Sequence, residues 1–371
     1  MIIKNGNVFD TKGSFHKTDI YIEGEYFREE SKDNQVIDAQ GCYVIPGLVD
    51  LHFHGCKGYD FCDGTKESIV HMAKYQAENG ILAICPATMT IPEDKLLQIM
   101  ETAAGYQEEE GADLVGINME GPFISREKKG AQKEDDIKKP NVAMFQKLQD
   151  ASEGLVKLID IAPEVEGAMN FIDQVKDQVK VSIAHTTADY DTAREAMERG
   201  ASHITHLYNA MPGFTHRAPG VIGAARDMGC EVELICDGVH IHPSAVRATF
   251  QMFGDDHVIL ISDSMMATGM EDGQYELGGQ AVTVVGNRAT LTNGGAIAGS
   301  ATNLMDCMRT AVKDMGIPLE SAVKCATINP AKSIGVDDRY GSVEPGKYAN
   351  AVILDKELQI VSVIQKGKIL L

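Results

Sequence analysis

Eight short runs rich in β-branched and other apolar residues recur between Ile45 and Asp263, each separated from the next by a longer amphipathic stretch. They read VIPGLVDLHFH, ILAICPAT, DLVGINMEG, LVKLIDIAPE, VKVSIAHT, SHITHLYN, CEVELICDG and DHVILISDS. Such runs suit parallel strands buried on both faces, because a parallel connection needs a long crossover that covers the sheet. The intervening TKESIVHMAKYQAENG and ADYDTAREAMERGA carry apolar residues at i, i+3, i+4 spacing, with Thr or Asp as N-caps and Gly just past the end. Eight units of this kind close into a (β/α)8 barrel. The alternative, an open doubly wound sheet, usually places a glycine-rich phosphate loop after its first strand, and no G-x-G-x-x-G stands there.

The two ends of the chain read differently. MIIKNGNVFDTKGSFHKTDIYIEGEYFREESKDNQVIDAQGCYV is a series of short strands with N-G and E-G turns, and YANAVILDKELQIVSVIQKGKIL resumes that style. Neither tail is large enough to bury a core alone. The expected fold is therefore α/β, with a (β/α)8 TIM barrel over residues 46–339 inserted in a small β-sandwich formed by both chain termini, residues 1–45 plus 340–371.

A net charge of -20 repels nucleic-acid phosphates and anionic lipid surfaces, so neither nucleic acid nor membrane is an expected partner. An anionic small molecule would have to be held by local cations. The eight cysteines are scattered without a C-x-x-C pair, and the first ten residues lack a basic region followed by an apolar one, which fits a cytoplasmic protein. No apolar run approaches the roughly 18 residues that cross a bilayer.

The ends of the runs carry the chemistry. In a strand, residues two apart point the same way, so His52 and His54 project together from the C-terminal end of the first, where barrels keep their active sites. Glu120 ends the third run, His185 the fifth, His206 the sixth and Asp263 the eighth. Imidazoles and carboxylates delivered to one rim by five strands suit a divalent transition metal, whereas unpaired buried carboxylates without such a partner would cost several kcal/mol. His203, three residues before His206, should face away and serve a structural hydrogen bond, while His16, His71 and His257 should face solvent.

The segments PGLVDLHFHG, EGPFIS, AHTTAD, THLYNAMP, DGVHIHP, ISDSM and AIAGSATNL, in this order, resemble the N-acetylglucosamine-6-phosphate deacetylases of the amidohydrolase superfamily, and TINPAKSIGV and GSVEPGKYANAVILD extend the resemblance towards the C-terminus. It implies a barrel inserted in a β-sandwich and metal-assisted hydrolysis of an acetamide on an amino-sugar phosphate. Glu120, His185 and His206 take the place of the ligands of the principal metal, His52 and His54 those of a first site that some members lack, and Asp263 that of the catalytic acid/base. One or two divalent ions per chain (zinc, iron, manganese or cobalt) and a homodimer are implied as well. For the substrate, the resemblance points to Ala131, Gln132, Asn209, Ala210, Asp237, Gly238, Val239, His240, Ile297, Ala298 and Gly299, with Arg217 as the phosphate-binding arginine, serving its own pocket or the neighbouring one across the dimer. Gln132 stands where the family often has a histidine that reaches a sugar group, and Ser264 where an alanine is usual. The galacto epimer as substrate, another amidohydrolase with the same rim, such as a dihydroorotase-like or N-acyl-amino-acid enzyme, and a metal-free binding protein are the alternatives. The presence of every expected ligand counts against the last.

Overall fold

The protein, described here over residues 1–107 and 110–371 of a computed structural model, is built around eight parallel strands that close on themselves. The strands are Leu48–Asp50, Ile81–Ile84, Asp113–Leu114 continued by Ile117–Phe123, Val156–Ile161, Lys180–Ile183, His203–Ile204, Glu231–Ile235 and Val258–Ile261. Each pairs in parallel with the next, the second reaching the third through Ala83 with Asp113 and Ala87 with Asn118. The ring closes where Asp263 N donates to His52 O at 2.9 Å. This is the (β/α)8 barrel expected from the periodic runs. Its interior holds Val49, Leu51, Ala83, Leu158, Ile235 and Ile259, all essentially inaccessible, with Ala331, Ile334, Val336 and Tyr340 packed against them.

The crossover helices are stopped and started by the residues their sequences supply. Thr65 Oγ1 accepts from Ser68 N at the head of Lys66–Glu78, and the Asp189 carboxylate accepts from Thr192 N at the head of Tyr190–Arg199, which Gly200 ends. On the opposite flank Phe123, three residues past Glu120, packs edge-on against Phe171 at 5.1 Å, and Phe171 against Phe145 at 6.0 Å. This aromatic chain locks the end of the third strand against two helices.

Strands from both termini form one sheet, in which Tyr43–Pro46 pairs in parallel with Ile2–Phe9 and antiparallel with Ala351–Leu354. Its side chains alternate between two cores. Val44, Ala351, Ile353 and Ile364 join the cluster of the small sandwich, while Ile45, Val352, Leu354 and Val363 join the large cluster around the barrel. Burial on both faces explains why Tyr43–Pro46 and Ala351–Leu354 consist of apolar residues throughout.

One element had no counterpart in the expected fold. After the eighth barrel strand, Gly273–Leu277, Gln280–Val285 and Arg288–Leu291 form a three-stranded antiparallel sheet with its own apolar cluster. Its tight turns, Gly278-Gly279 with both φ positive and Gly286-Asn287, are two-residue hairpin signals that a search confined to barrel periodicity passes over.

Because Phe171 links Phe123 and Phe145 in a site with 1% exposure, Phe171→Ala is expected to destabilise the fold by about 3–5 kcal/mol. Urea denaturation of the variant and the wild type would measure it.

Candidate metal centre

Glu120, 3% exposed, lies on the third strand with its two oxygens turned toward four imidazoles. Its Oε1 is 3.0 Å from His185 Nε2, 3.2 Å from His206 Nε2 and 3.6 Å from His52 Nε2; its Oε2 is 3.4 Å from His54 Nε2. His185 Nε2 and His206 Nε2 are 3.1 Å apart, and Asp263 Oδ1 is 3.3 Å from His54 Nε2. All six rim residues expected from the sequence thus meet at one point. All but Glu120 do so from just beyond their strands rather than on them. His52, His185, His206 and Asp263 each follow the last residue of their strand by two, and the last three have φ of 43°, 31° and 48°. A left-handed kink at a non-glycine residue costs about 1–3 kcal/mol and is kept where it aims a functional side chain.

The donors suit a divalent cation. Bonds of about 2.0–2.2 Å from a metal to nitrogen and oxygen leave neighbouring ligand atoms roughly 2.8–3.6 Å apart between right-angled and tetrahedral geometry, a range that contains the spacings within Glu120, His185 and His206. His52 Nε2 is fully buried and has no hydrogen-bond partner among the described residues. Two overlapping groups, His52–His54–Glu120 and Glu120–His185–His206, each place three donor atoms within 4.8 Å of one another.

The charges follow from this crowding. Burial would push the Glu120 carboxyl up, but hydrogen bonds from His185 and His206 and the fields of His54 and His52 hold it well below its ordinary value. Burial likewise opposes ionisation of Asp263, and His54 and His52 overcome it, so this carboxyl too is lowered. His52 shows the converse: burial pulls the imidazole down, and Glu233, Glu120 and Asp263 raise it well above its usual value.

Behind the rim stands a set of buried groups that the sequence reading did not single out. Glu233, fully buried on the seventh strand, accepts from His52 Nδ1 at 3.0 Å and from His206 N at 3.0 Å. Lys128 O accepts from His185 Nδ1 at 2.8 Å. Asp50 accepts from Ser262 Oγ at 2.5 Å and from His52 N at 3.2 Å, and burial pushes its carboxyl up to about 7. Asp160, raised by burial, takes a hydrogen bond from Thr205 Oγ1, which also meets Ser182 Oγ. A carboxylate set within an apolar run, in GLVDLHF and in CEVELIC, was the available signal for Asp50 and Glu233. His203 does face away, with its Nδ1 2.9 Å from Ser182 Oγ and Glu233 Oε1 3.7 Å from its other nitrogen. His16 and His71 are exposed, whereas His257 is only partly so, its Nδ1 buried. Ser264 spends its hydroxyl on Gly55 O at 2.9 Å, and its carbonyl accepts from His54 N at 2.7 Å, so it pins the H-x-H segment.

A cavity of about 350 Å³ opens over this centre, and Ala131, Gln132, Asn209, Ala210, His240, Ile297 and Gly299 line it with every rim residue except His52. Lys128 lines it too, a cation the sequence reading did not select. His240 is aimed by Asp237: the carboxylate takes the Val239 and His240 N–H groups at 2.8 and 2.9 Å with Oδ1, and His240 Nδ1 at 2.8 Å with Oδ2. Gly238, at φ 80°, allows that turn. Asp237, Gly238 and Val239 therefore shape the loop without lining the cavity, and Ala298 is buried in the small antiparallel sheet's core between Ile297 and Gly299. Burial lowers the His240 imidazole, and Asp237 more than offsets it, leaving it raised. Arg217 is set apart. It is exposed in the loop before Gly220 and borders a separate surface cleft with Asp189 and Tyr190, outside the cavity of its own chain.

A sequence profile of the amidohydrolase family matches residues 43–370. Over 375 aligned residues the chain is 36% identical to the N-acetylglucosamine-6-phosphate deacetylase of Bacillus subtilis (strain 168), covering 99% of this chain and 93% of that protein. The crystal structure of N-acetyl-D-glucosamine-6-phosphate deacetylase from Mycobacterium smegmatis superposes with a TM-score of 0.93 at 30% identity over the full length of both chains. A mutant of that enzyme in complex with N-acetyl-D-glucosamine-6-phosphate superposes with a TM-score of 0.92 at 30% identity, covering 100% of this chain and 98% of the other.

Replacing Glu233 by Gln removes the charge behind His52 while keeping one acceptor. Divalent-cation affinity is expected to fall about 10- to 100-fold, measurable by titration with Co(II).

Proposed function

The chain belongs to the amidohydrolase family, and on that premise we propose that it deacetylates N-acetylglucosamine-6-phosphate to glucosamine-6-phosphate and acetate, a step of amino-sugar catabolism and recycling. The observation that carries this reading is the convergence of His52, His54, Glu120, His185, His206 and Asp263 beneath a cavity of about 350 Å³. Full-length similarity to deacetylases of that name supports it, as does the relative solved with that sugar phosphate.

His52, His54, Glu120, His185 and His206 are the groups that would hold one or two ions of zinc, iron, manganese or cobalt, all compatible with mixed imidazole and carboxylate donors. When bound, such an ion supplies Lewis acidity toward water and toward the amide carbonyl. Asp263, ionised and beside His54, takes the proton from the attacking water. It then returns that proton to the nitrogen of the leaving amine as the C–N bond breaks, so acetate and the amino sugar separate. His240 has Nδ1 committed to Asp237 and offers Nε2 to the acetyl oxygen as charge develops there. Asn209 and Ala210, with Ala131 and the Ile297–Gly299 loop, bound the sugar, and Arg217 grips the phosphate from a neighbouring copy in a homodimer. Eight free cysteines, six of them buried, favour a reducing cytoplasm. Among the described residues no helix is long and apolar enough to cross a membrane. The same reading divides the chain into a catalytic domain over residues 46–339 and a domain built from residues 1–45 and 340–371, which the separate apolar cluster of the terminal strands supports.

Acetate release from N-acetylglucosamine-6-phosphate, its galacto epimer and the unphosphorylated sugar, before and after chelation, tests the reading. The gluco phosphate should be turned over fastest and the activity should vanish on chelation. Asp263→Asn should lower kcat by roughly 10²–10⁴-fold with cation still bound; near-normal turnover would remove Asp263 from the mechanism. Arg217→Ala should raise KM for the phosphorylated sugar only.

A further inference from the structure

Gln132 is 2% exposed and has both ends of its amide fixed. Thr90 N, which can only donate, lies 2.6 Å from Gln132 Oε1. That contact decides which way the amide points, and it turns Nε2 onto Glu120 Oε2 at 2.6 Å. Met89 Sδ, 3.6 Å from the same nitrogen, receives the other hydrogen. The loop behind is held as well, since Gln132 N donates to Lys129 O at 2.9 Å and Gln280 Nε2 to Ala131 O. No hydrogen of the amide is left for a sugar. Gln132 lines the cavity yet is committed to the metal ligand.

The two oxygens of Glu120 are thereby made unequal. Oε1 faces His185 and His206 at 3.0 and 3.2 Å and carries no competing donor from Gln132. Oε2, 3.4 Å from His54 Nε2, is the oxygen a cation shared with His54 would draw on, and there the Gln132 amide already occupies a lone pair. We propose that Gln132 is a positioning residue that biases the centre toward a single tightly held cation at Glu120–His185–His206, by competing for Glu120 Oε2 with a second cation at His52–His54. The inference rests on the reading of this cluster as a divalent-cation site. It assigns Gln132 a role in setting metal stoichiometry in place of contact with the sugar.

The test is cation binding, read independently of turnover. The full-length protein is equilibrated in chelator-buffered Co(II) solutions of rising free concentration, and bound cobalt per chain gives two stepwise dissociation constants. Two variants are compared. Gln132→Met removes the donor with little change of volume; Gln132→Glu keeps an acceptor for Thr90 N while replacing the donor by an oxygen. Wild type should bind the first Co(II) far more tightly than the second, and in both variants the ratio of second to first constant should shrink by at least about tenfold, more in Gln132→Glu. A ratio unchanged in both variants would overturn the inference while leaving the metal site intact. Absence of any Co(II) binding to the wild type would overturn the metal site, and the inference with it.

Discussion

One carboxylate, Glu120, is buried against four imidazoles, and most of what surrounds it serves to make that burial tolerable. An ionised carboxyl at such depth would cost several kcal/mol unless neutralised and hydrogen-bonded. Both oxygens are accordingly engaged, Oε1 by His185 and His206 and Oε2 by Gln132. The imidazoles must in turn present the right nitrogen, and two of the four are tied from behind, His52 by Glu233 and His185 by the Lys128 carbonyl. Orientation of this kind fixes the tautomer as well as the ring. The centre is best understood as two concentric shells, the outer one deciding what the inner one can bind.

The outer shell has its own difficulty, because it brings more carboxylates into the same barrel. Asp50, Asp160 and Glu233 are all fully buried. Their surroundings shift them in opposite directions. Glu233 is lowered by the histidines it serves, whereas Asp50 and Asp160 are raised by burial and meet hydroxyl donors from Ser262 and Thr205.

The barrel and the rim were legible in the sequence because both are periodic: eight β-branched runs declare the strands, and a metal-capable residue at the end of five of them declares the site. What stayed hidden depends on contacts between distant segments. Gln132 meets Glu120 only because a loop folds back over the strand end, and Glu233 meets His52 across 181 positions of sequence. Neither lies at a strand terminus, since Gln132 is in a loop and Glu233 in mid-strand. The antiparallel sheet over residues 273–291 stands outside that periodicity, because its strands are joined by Gly-Gly and Gly-Asn hairpin turns and not by helical crossovers. Arg217 lies outside the cavity because its loop places it on a separate surface cleft beside Asp189 and Tyr190, a placement that depends on how distant segments pack and is not written along the backbone.

The strands drawn from the two termini alternate their side chains between the sandwich core and the barrel's outer core. They act as a party wall, and neither side can be opened without exposing the other. Gln365 reaches across to the Gly111 carbonyl and Lys366 to Asp113 at 2.6 Å, stitching the last long strand to the segment that leads into the Glu120 strand. The alignment of ligands at one end of the barrel is thus underwritten by a clasp at the other, and loosening that clasp would be felt first in the register of the strand that carries Glu120.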